Sequence, residues 1–91
     1  MFYVYVLQSD ADQGLYIGLT ADLRRRYHEH QAGDAKATAH RGPWVLICYE
    51  AYLEEADASG RERYLKSGGG RRFLAKQLRH HFLRRPPREG Q

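Results

Sequence analysis

A phenol, a permanent cation and an imidazole come together in the stretch from Leu15 to His30. Tyr16 sits between Leu15 and Ile17, an alternation that suits a pleated strand. Gly18 follows and reads as a tight turn. Thr20 reads as the N-cap of a helix, and Asp22 as a negative charge in its first turn. On that helix Leu23 and Tyr27 lie four apart and form an apolar stripe. Arg26 and His30, also four apart, share another face one turn above each other. A guanidinium grips phosphate in two-pronged fashion, and an imidazole takes or gives a proton near neutral pH. These three groups suit work on a phosphate.

The elements that must position these groups follow from patterning. Phe2 to Gln8 reads as a strand with Phe2, Val4 and Val6 on one face and Tyr3, Tyr5 and Leu7 on the other. Both faces are apolar, so the strand should lie centrally in its sheet. A loop at Ser9-Asp10-Ala11-Asp12 would place Leu7 opposite Gly14 and Tyr5 opposite Tyr16. The helix should end near Gly33, a natural C-cap. Asp34 to Arg41 is a polar connection holding Lys36, Thr38, His40 and Arg41. It reads equally as a solvated loop and as a lip over a phosphate backbone. Trp44 to Tyr52 alternates as a third strand, with Trp44 read as core and Cys48 as a small buried hydrophobe, not a nucleophile.

Glu54 to Lys66 reads as a second helix, opened by acids and closed by Arg63 and Lys66. Glu62 shares a face with Ala58 and Leu65, so it should point inward and need a partner, either an arginine or a metal ion. Gly68-Gly69-Gly70 follows a helix, not a strand, and so reads as a C-cap and flexible joint rather than a phosphate-cradling loop. Arg71 to Leu83 should be helical, with Phe73, Leu74, Leu78 and Phe82 as its apolar stripe. Arg84-Arg85-Pro86-Pro87-Arg88 cannot continue a helix. The expected organisation is therefore one domain over 1–83 and a basic flexible tail over 84–91.

Bulk properties narrow the partners. At 91 residues the chain is one domain with a thin core, burying only about 60–65% of its unfolded surface. Its formal charge is +4, its pI is near 9.5, and arginine greatly outnumbers lysine. That balance suits a phosphate-bearing partner. A single cysteine excludes an internal disulfide and fits a reducing cytoplasm. No signal peptide and no membrane-spanning apolar run are evident.

Taken together, the residues resemble the GIY-YIG nuclease superfamily. Tyr3-Val4-Tyr5 stands for the first tripeptide and Tyr16-Ile17-Gly18 for the second. Arg26 follows ten residues past Tyr16, with His30 one turn later. Glu62 completes the set in Arg61-Glu62-Arg63-Tyr64-Leu65-Lys66. The likeness spans about residues 2–75 and is closest to the small stand-alone bacterial branch, similar to the N-terminal nuclease domain of the excision-repair nuclease. Two departures stand out: Tyr3 replaces the motif's glycine, and the chain contains no asparagine, whereas many members carry one near the active site.

The resemblance implies an α+β fold, a three-stranded antiparallel sheet flanked by helices. It also implies a metal-dependent endonuclease that hydrolyses phosphodiester bonds, on DNA before RNA, with DNA repair as a setting. One divalent metal, Mg²⁺ or Mn²⁺, would be held by Glu62. Arg26 would steady the phosphate, Tyr5 and Tyr16 would position or deprotonate the attacking water, and His30 could relay the proton. These five side chains should converge on one concave face. Arg24, Arg25, Lys36, His40, Arg41, Arg71, Arg72 and Lys76 are the expected nucleic-acid contacts. The alternatives stay open: Tyr5 and Tyr16 as a cross-strand core pair, Arg25 and Glu29 as a helix-surface pair, His30 as a helix-end cation. On that reading the chain is a non-catalytic nucleic-acid-binding module that keeps the fold.

Overall fold

A strand that is apolar on both faces needs a neighbour on each edge and a layer on each side, and β1 (Phe2–Ser9) has all four. It pairs antiparallel with β2 (Leu15–Thr20) on one edge and with β3 (Trp44–Tyr52) on the other, giving the sheet order β2-β1-β3. Helix α1 (Leu23–Ala32) and a 3₁₀ turn at Lys36–Thr38 connect β2 to β3. Helices α2 (Glu55–Lys66), α3 (Gly68–Gln77) and α4 (Arg79–Arg84) follow β3. This computed structural model describes residues 1–88.

The alternation along β1 sorts the core into two layers. Val4, Val6 and Ile17 face Ala58 and Leu65 of α2 and Leu74 of α3. On the opposite face Tyr5, Leu7 and Trp44 pack with Tyr16, Leu46 and with Leu23 and Tyr27 of α1. The fold is thus α+β, with the three-stranded antiparallel sheet held between α1 on one side and α2 and α3 on the other.

The hairpin register differs from the expected one by two residues. Tyr5 lies opposite Gly18, and Leu7 opposite Tyr16. The cause is Ser9, which stays in the sheet opposite Trp44. Its N–H donates to the Gly14 carbonyl at 2.9 Å. Its hydroxyl donates to the Arg41 carbonyl at 2.6 Å and accepts from the Ala11 and Asp12 N–H groups. The turn therefore begins one residue later than the pattern suggests. Because the slip is even, Tyr5 and Tyr16 keep to one face as diagonal neighbours, with ring centroids 6.3 Å apart.

Three local readings are corrected. Thr20 still pairs with Tyr3 in the sheet, and Asp22 is the N-cap of α1, its carboxylate accepting from the Arg25 N–H at 3.1 Å. Gly18 makes no turn and sits inside β2. The three glycines from Gly68 form the first turn of α3, capped by Ser67, and a Cβ on Gly70 would lie 1.9 Å from the Tyr64 carbonyl oxygen. Gly33 does close α1 in the left-handed conformation, at φ 81°.

The expected helix from Arg71 to Leu83 is divided at Leu78 into α3 and α4. The basic segment after it is not loose as far as Arg88. Arg85 ion-pairs with Asp10. The Arg88 N–H donates to the Gln13 carbonyl at 3.0 Å, and its guanidinium reaches Asp12 at 3.2 Å. Gln8 donates to the Arg85 carbonyl at 3.1 Å and bonds His81 at 2.7 Å. The acids of the β1–β2 turn thus hold the chain's basic end by charge. Residues 89–91 of the expected tail lie outside the described residues.

Candidate active site

Gly18 places the central phenol. A Cβ on this residue would fall 2.3 Å from the Tyr5 hydroxyl oxygen, so the Tyr5 ring lies directly over the glycine backbone. Since β2 is an edge strand, that places the hydroxyl at the rim of the sheet. Tyr5 is nonetheless buried, with 1% of its surface exposed.

α1 brings two groups to this oxygen. His30, also 1% exposed, has Nε2 2.8 Å from the Tyr5 hydroxyl and Nδ1 2.6 Å from Thr38 Oγ1. Thr38 donates its own proton to the Ala35 carbonyl at 3.4 Å. Its oxygen is therefore the acceptor for a proton on Nδ1, which leaves Nε2 bare to accept from Tyr5. The Arg26 guanidinium favours the ionised form of the same phenol and also holds Glu29 at 2.9 Å.

The electrostatics follow. Burial pushes the Tyr5 phenol up to about 12; Arg26 opposes this, and the charges of Tyr16 and Glu62 add to it. Burial, then the neighbouring Arg26, hold the His30 imidazole below its usual value, with Glu29 opposing. His30 is thus a neutral proton acceptor, not the helix-end cation that its position alone suggests. Tyr16 is half-buried against His30 and Trp44, with ring centroids at 5.0 and 6.4 Å. Its hydroxyl has no hydrogen-bond partner among the described residues.

Four of the five expected side chains therefore meet on the α1 side of the sheet. Glu62 does not share that layer. It rides on α2, whose Ala58 and Leu65 pack against the opposite face. Its influence reaches the group at the rim, where its negative charge acts on the Tyr5 hydroxyl. Lys66, one turn along, holds Glu62 Oε2 at 3.2 Å, and Oε1 has no partner among the described residues. The partner in the chain is thus a half-exposed lysine, not the expected arginine.

The basic residues divide. Arg24, Arg25, Lys36, His40, Arg72 and Lys76 are exposed. Arg41 is engaged within the fold, pairing with Asp12 at 3.3 Å and lying 4.9 Å over the Trp44 ring. Arg71 is half-buried, with Nη1 lacking a partner among the described residues, and burial lowers its pKa. Arg24 and Arg25 lie on α1, whereas Arg72 and Lys76 lie on α3, across the sheet. The cations thus form separate patches, not one stripe.

Two contributors escape sequence reasoning. Thr38, buried at 1% exposure, orients His30, and its carbonyl accepts from Trp44 Nε1 at 3.3 Å. Gly18 matters for the ring it admits. The spacing of Tyr5 and Gly18 on paired strands is the signal that could have revealed the second; nothing local reveals the first.

Residues 1–73 match the family model described as the GIY-YIG catalytic domain. The chain belongs to the GIY-YIG family, which is of nuclease type. It is similar to UPF0213 proteins. One from Haloquadratum walsbyi is 41% identical over 66 residues, 71% of this chain and 73% of the relative. One from Clostridium perfringens is 40% identical over 67 residues, 72% of this chain and 71% of the relative. The solution NMR structure of the UPF0213 protein BH0048 from Bacillus halodurans is 32% identical, covers 96% of this chain and 89% of that one, and superposes with a TM-score of 0.49.

Nucleases of this family generally use a divalent metal. Among the described residues no group of three or more His, Cys, Asp or Glu side chains is arranged to hold one. A hard cation that keeps most of its waters needs no such cage, and one carboxylate with a free oxygen beside a phosphate suits it. Glu62 fits that description, so the donor set is compatible with Mg²⁺ or Mn²⁺ and poorly suited to a four-ligand zinc centre.

Proposed function

We propose that the chain is a metal-dependent endonuclease that hydrolyses phosphodiester bonds in nucleic acid, with DNA as its substrate before RNA. The observation that carries this reading is the Tyr5 hydroxyl, bonded to His30 Nε2 at 2.8 Å within the fields of Arg26 and Glu62. Each group then has a task. Arg26 binds a non-bridging phosphoryl oxygen and stabilises the negative charge that grows there. A phenol with a pKa of about 12 is protonated at neutral pH, so Tyr5 cannot act as a base by itself. It can take a proton from the attacking water while passing its own to His30 Nε2. The imidazole thus ends with the proton, the phosphorus gains the hydroxyl, and the P–O bond to the leaving strand breaks, its oxygen departing with the electron pair and taking a proton from solvent water. Tyr16, half-exposed and with no partner for its hydroxyl among the described residues, orients the water. Glu62 would hold the metal, which supplies charge neutralisation and Lewis acidity to the phosphoryl group when bound.

No helix among the described residues is long and apolar enough to cross a membrane. A cytoplasmic setting and a part in DNA repair belong to the proposal. Incubating the wild-type protein with supercoiled plasmid, linear and branched duplexes, single strands and RNA tests it, each in Mg²⁺, Mn²⁺ or EDTA. Cleavage in either metal and none in EDTA is expected. No cleavage of any substrate in either metal would transfer the assignment to a non-catalytic nucleic-acid-binding module.

A further inference from the structure

A cleft of about 470 Å³ opens between α1 and the sheet. Tyr3, Tyr27, Leu46 and Tyr49 line it, with Asp22 and Arg24 at the start of α1. Its volume lies within the range of small-ligand sites, roughly 300–1,000 Å³. Tyr49 is the telling residue. It stands opposite Tyr5 near the middle of β3, yet 55% of its surface is exposed. Among the described residues its one aromatic neighbour is Tyr3, edge to face, with centroids 6.0 Å apart. Tyr27 forms a fixed wall, since its hydroxyl donates to the Trp44 carbonyl at 2.8 Å and accepts from Gln31 at 3.2 Å.

We propose that this cleft receives one unstacked nucleobase of the strand whose phosphate lies at Tyr5 and Arg26. The inference rests on the nucleic-acid reading above and adds a preference for unpaired substrate. Three features favour a base over other occupants. Rigid phenols with an open face give a sequence-tolerant stacking platform. The charge beside it is complementary to a nucleic-acid strand: Arg24 lines the cleft and is exposed, while the Asp22 carboxylate is occupied in capping α1. The cleft is also borne by the elements that carry the candidate site. Tyr3 and Tyr5 share one face of β1, two residues or about 6.5–7 Å apart, and Arg26 and Tyr27 are adjacent on α1. A base within a duplex is already stacked and cannot enter unless it is extruded.

The test measures equilibrium binding in EDTA, where no cutting is expected. A fluorescent single-stranded oligonucleotide and its matched duplex are titrated with wild-type protein, Tyr49→Ala and Tyr49→Phe. Thermal melting controls for folding, which the exposure of Tyr49 should protect. Tyr49→Ala should weaken single-strand binding about 5–150-fold, the range of one lost base stack. Duplex binding should change less than about twofold, and Tyr49→Phe should bind as wild type. Single-strand affinity unchanged in Tyr49→Ala, or equal losses on both substrates, would overturn the cleft assignment. Tyr49-dependent binding by a wild-type protein that cuts nothing would support the cleft and remove the nuclease reading. A wild-type protein that binds neither substrate would overturn both.

Discussion

Replacing Gly18 by alanine should break the central contact of the site by adding one methyl group. The new Cβ would meet Tyr5 at 2.3 Å from the hydroxyl oxygen, 2.4 Å from Cζ and 2.9 Å from Cε1. The phenol must move, because its ring is buried and the glycine lies in a paired strand. Overpacking of this kind costs about 1–3 kcal/mol. Displacing the hydroxyl from His30 leaves a buried donor or acceptor unsatisfied, at about 1–3 kcal/mol. Alanine recovers about 0.5–1 kcal/mol over glycine in a strand. A net loss of about 3 kcal/mol follows, a fall in melting temperature of about 12–24 °C for a domain of this size. Calorimetry or urea unfolding measures it, and a double-mutant cycle locates it. Tyr5→Leu removes the three crowded atoms, so in that background Gly18→Ala should cost under about 1 kcal/mol. Equal costs in the two backgrounds would refute the steric argument, as would a Gly18→Ala protein that melts like wild type.

Three further outcomes follow from the same geometry. Thr38→Val keeps the side-chain shape and removes the acceptor for His30 Nδ1–H; ¹⁵N NMR of the imidazole should lose the single tautomer and stability should fall by about 1–3 kcal/mol, while Thr38→Ser preserves both. Arg26→Ala should lower the cleavage rate about 10²–10³-fold while weakening binding far less, and a loss confined to KM would contradict its role in stabilising developing charge. Burial holds His30 and His81 below their usual 6.5, so the unfolded chain takes up protons that the folded chain refuses. Their contribution to stability is therefore complete above about pH 6.5 and lost as pH falls through that value, and a urea midpoint that stays flat from pH 7.5 to 5 would contradict it.

Where local pattern and tertiary packing agree, the sequence is a sufficient guide. The extent of β3 is read correctly from Trp44 to Tyr52, and Gly33 ends α1 as its conformational freedom suggests, but a bulge at Ile47 breaks the alternation, so that Cys48 turns to the face opposite Trp44 and Leu46 while Tyr49 joins theirs. The two apolar faces of β1 correctly place it at the centre of the sheet. Even the misjudged hairpin register preserves the Tyr5–Tyr16 face, because parity survives an even slip. What stays hidden is contact at a distance. Ser9 shifts the register by bonding a carbonyl 32 residues away. Thr38 meets His30 only because the 3₁₀ turn folds back under α1. Arg85 and Arg88 are basic in any context, and only the fold brings Asp10 and Asp12 to them. Helical spacing says that Glu62 points inward, but not which side of the sheet α2 will cover.

The role of Glu62 is tested most directly by one paired measurement. Metal-dependent cleavage and nucleic-acid affinity are followed together for wild type and Glu62→Gln, each purified free of contaminating nuclease. Glutamine keeps the size of the side chain and removes its charge, so metal-dependent cleavage should disappear. Affinity measured in EDTA should be unchanged or slightly higher, because a carboxylate that repels phosphate has gone. A Glu62→Gln protein that cuts as fast as wild type in Mg²⁺ or Mn²⁺ would contradict the assignment of Glu62 as the metal ligand.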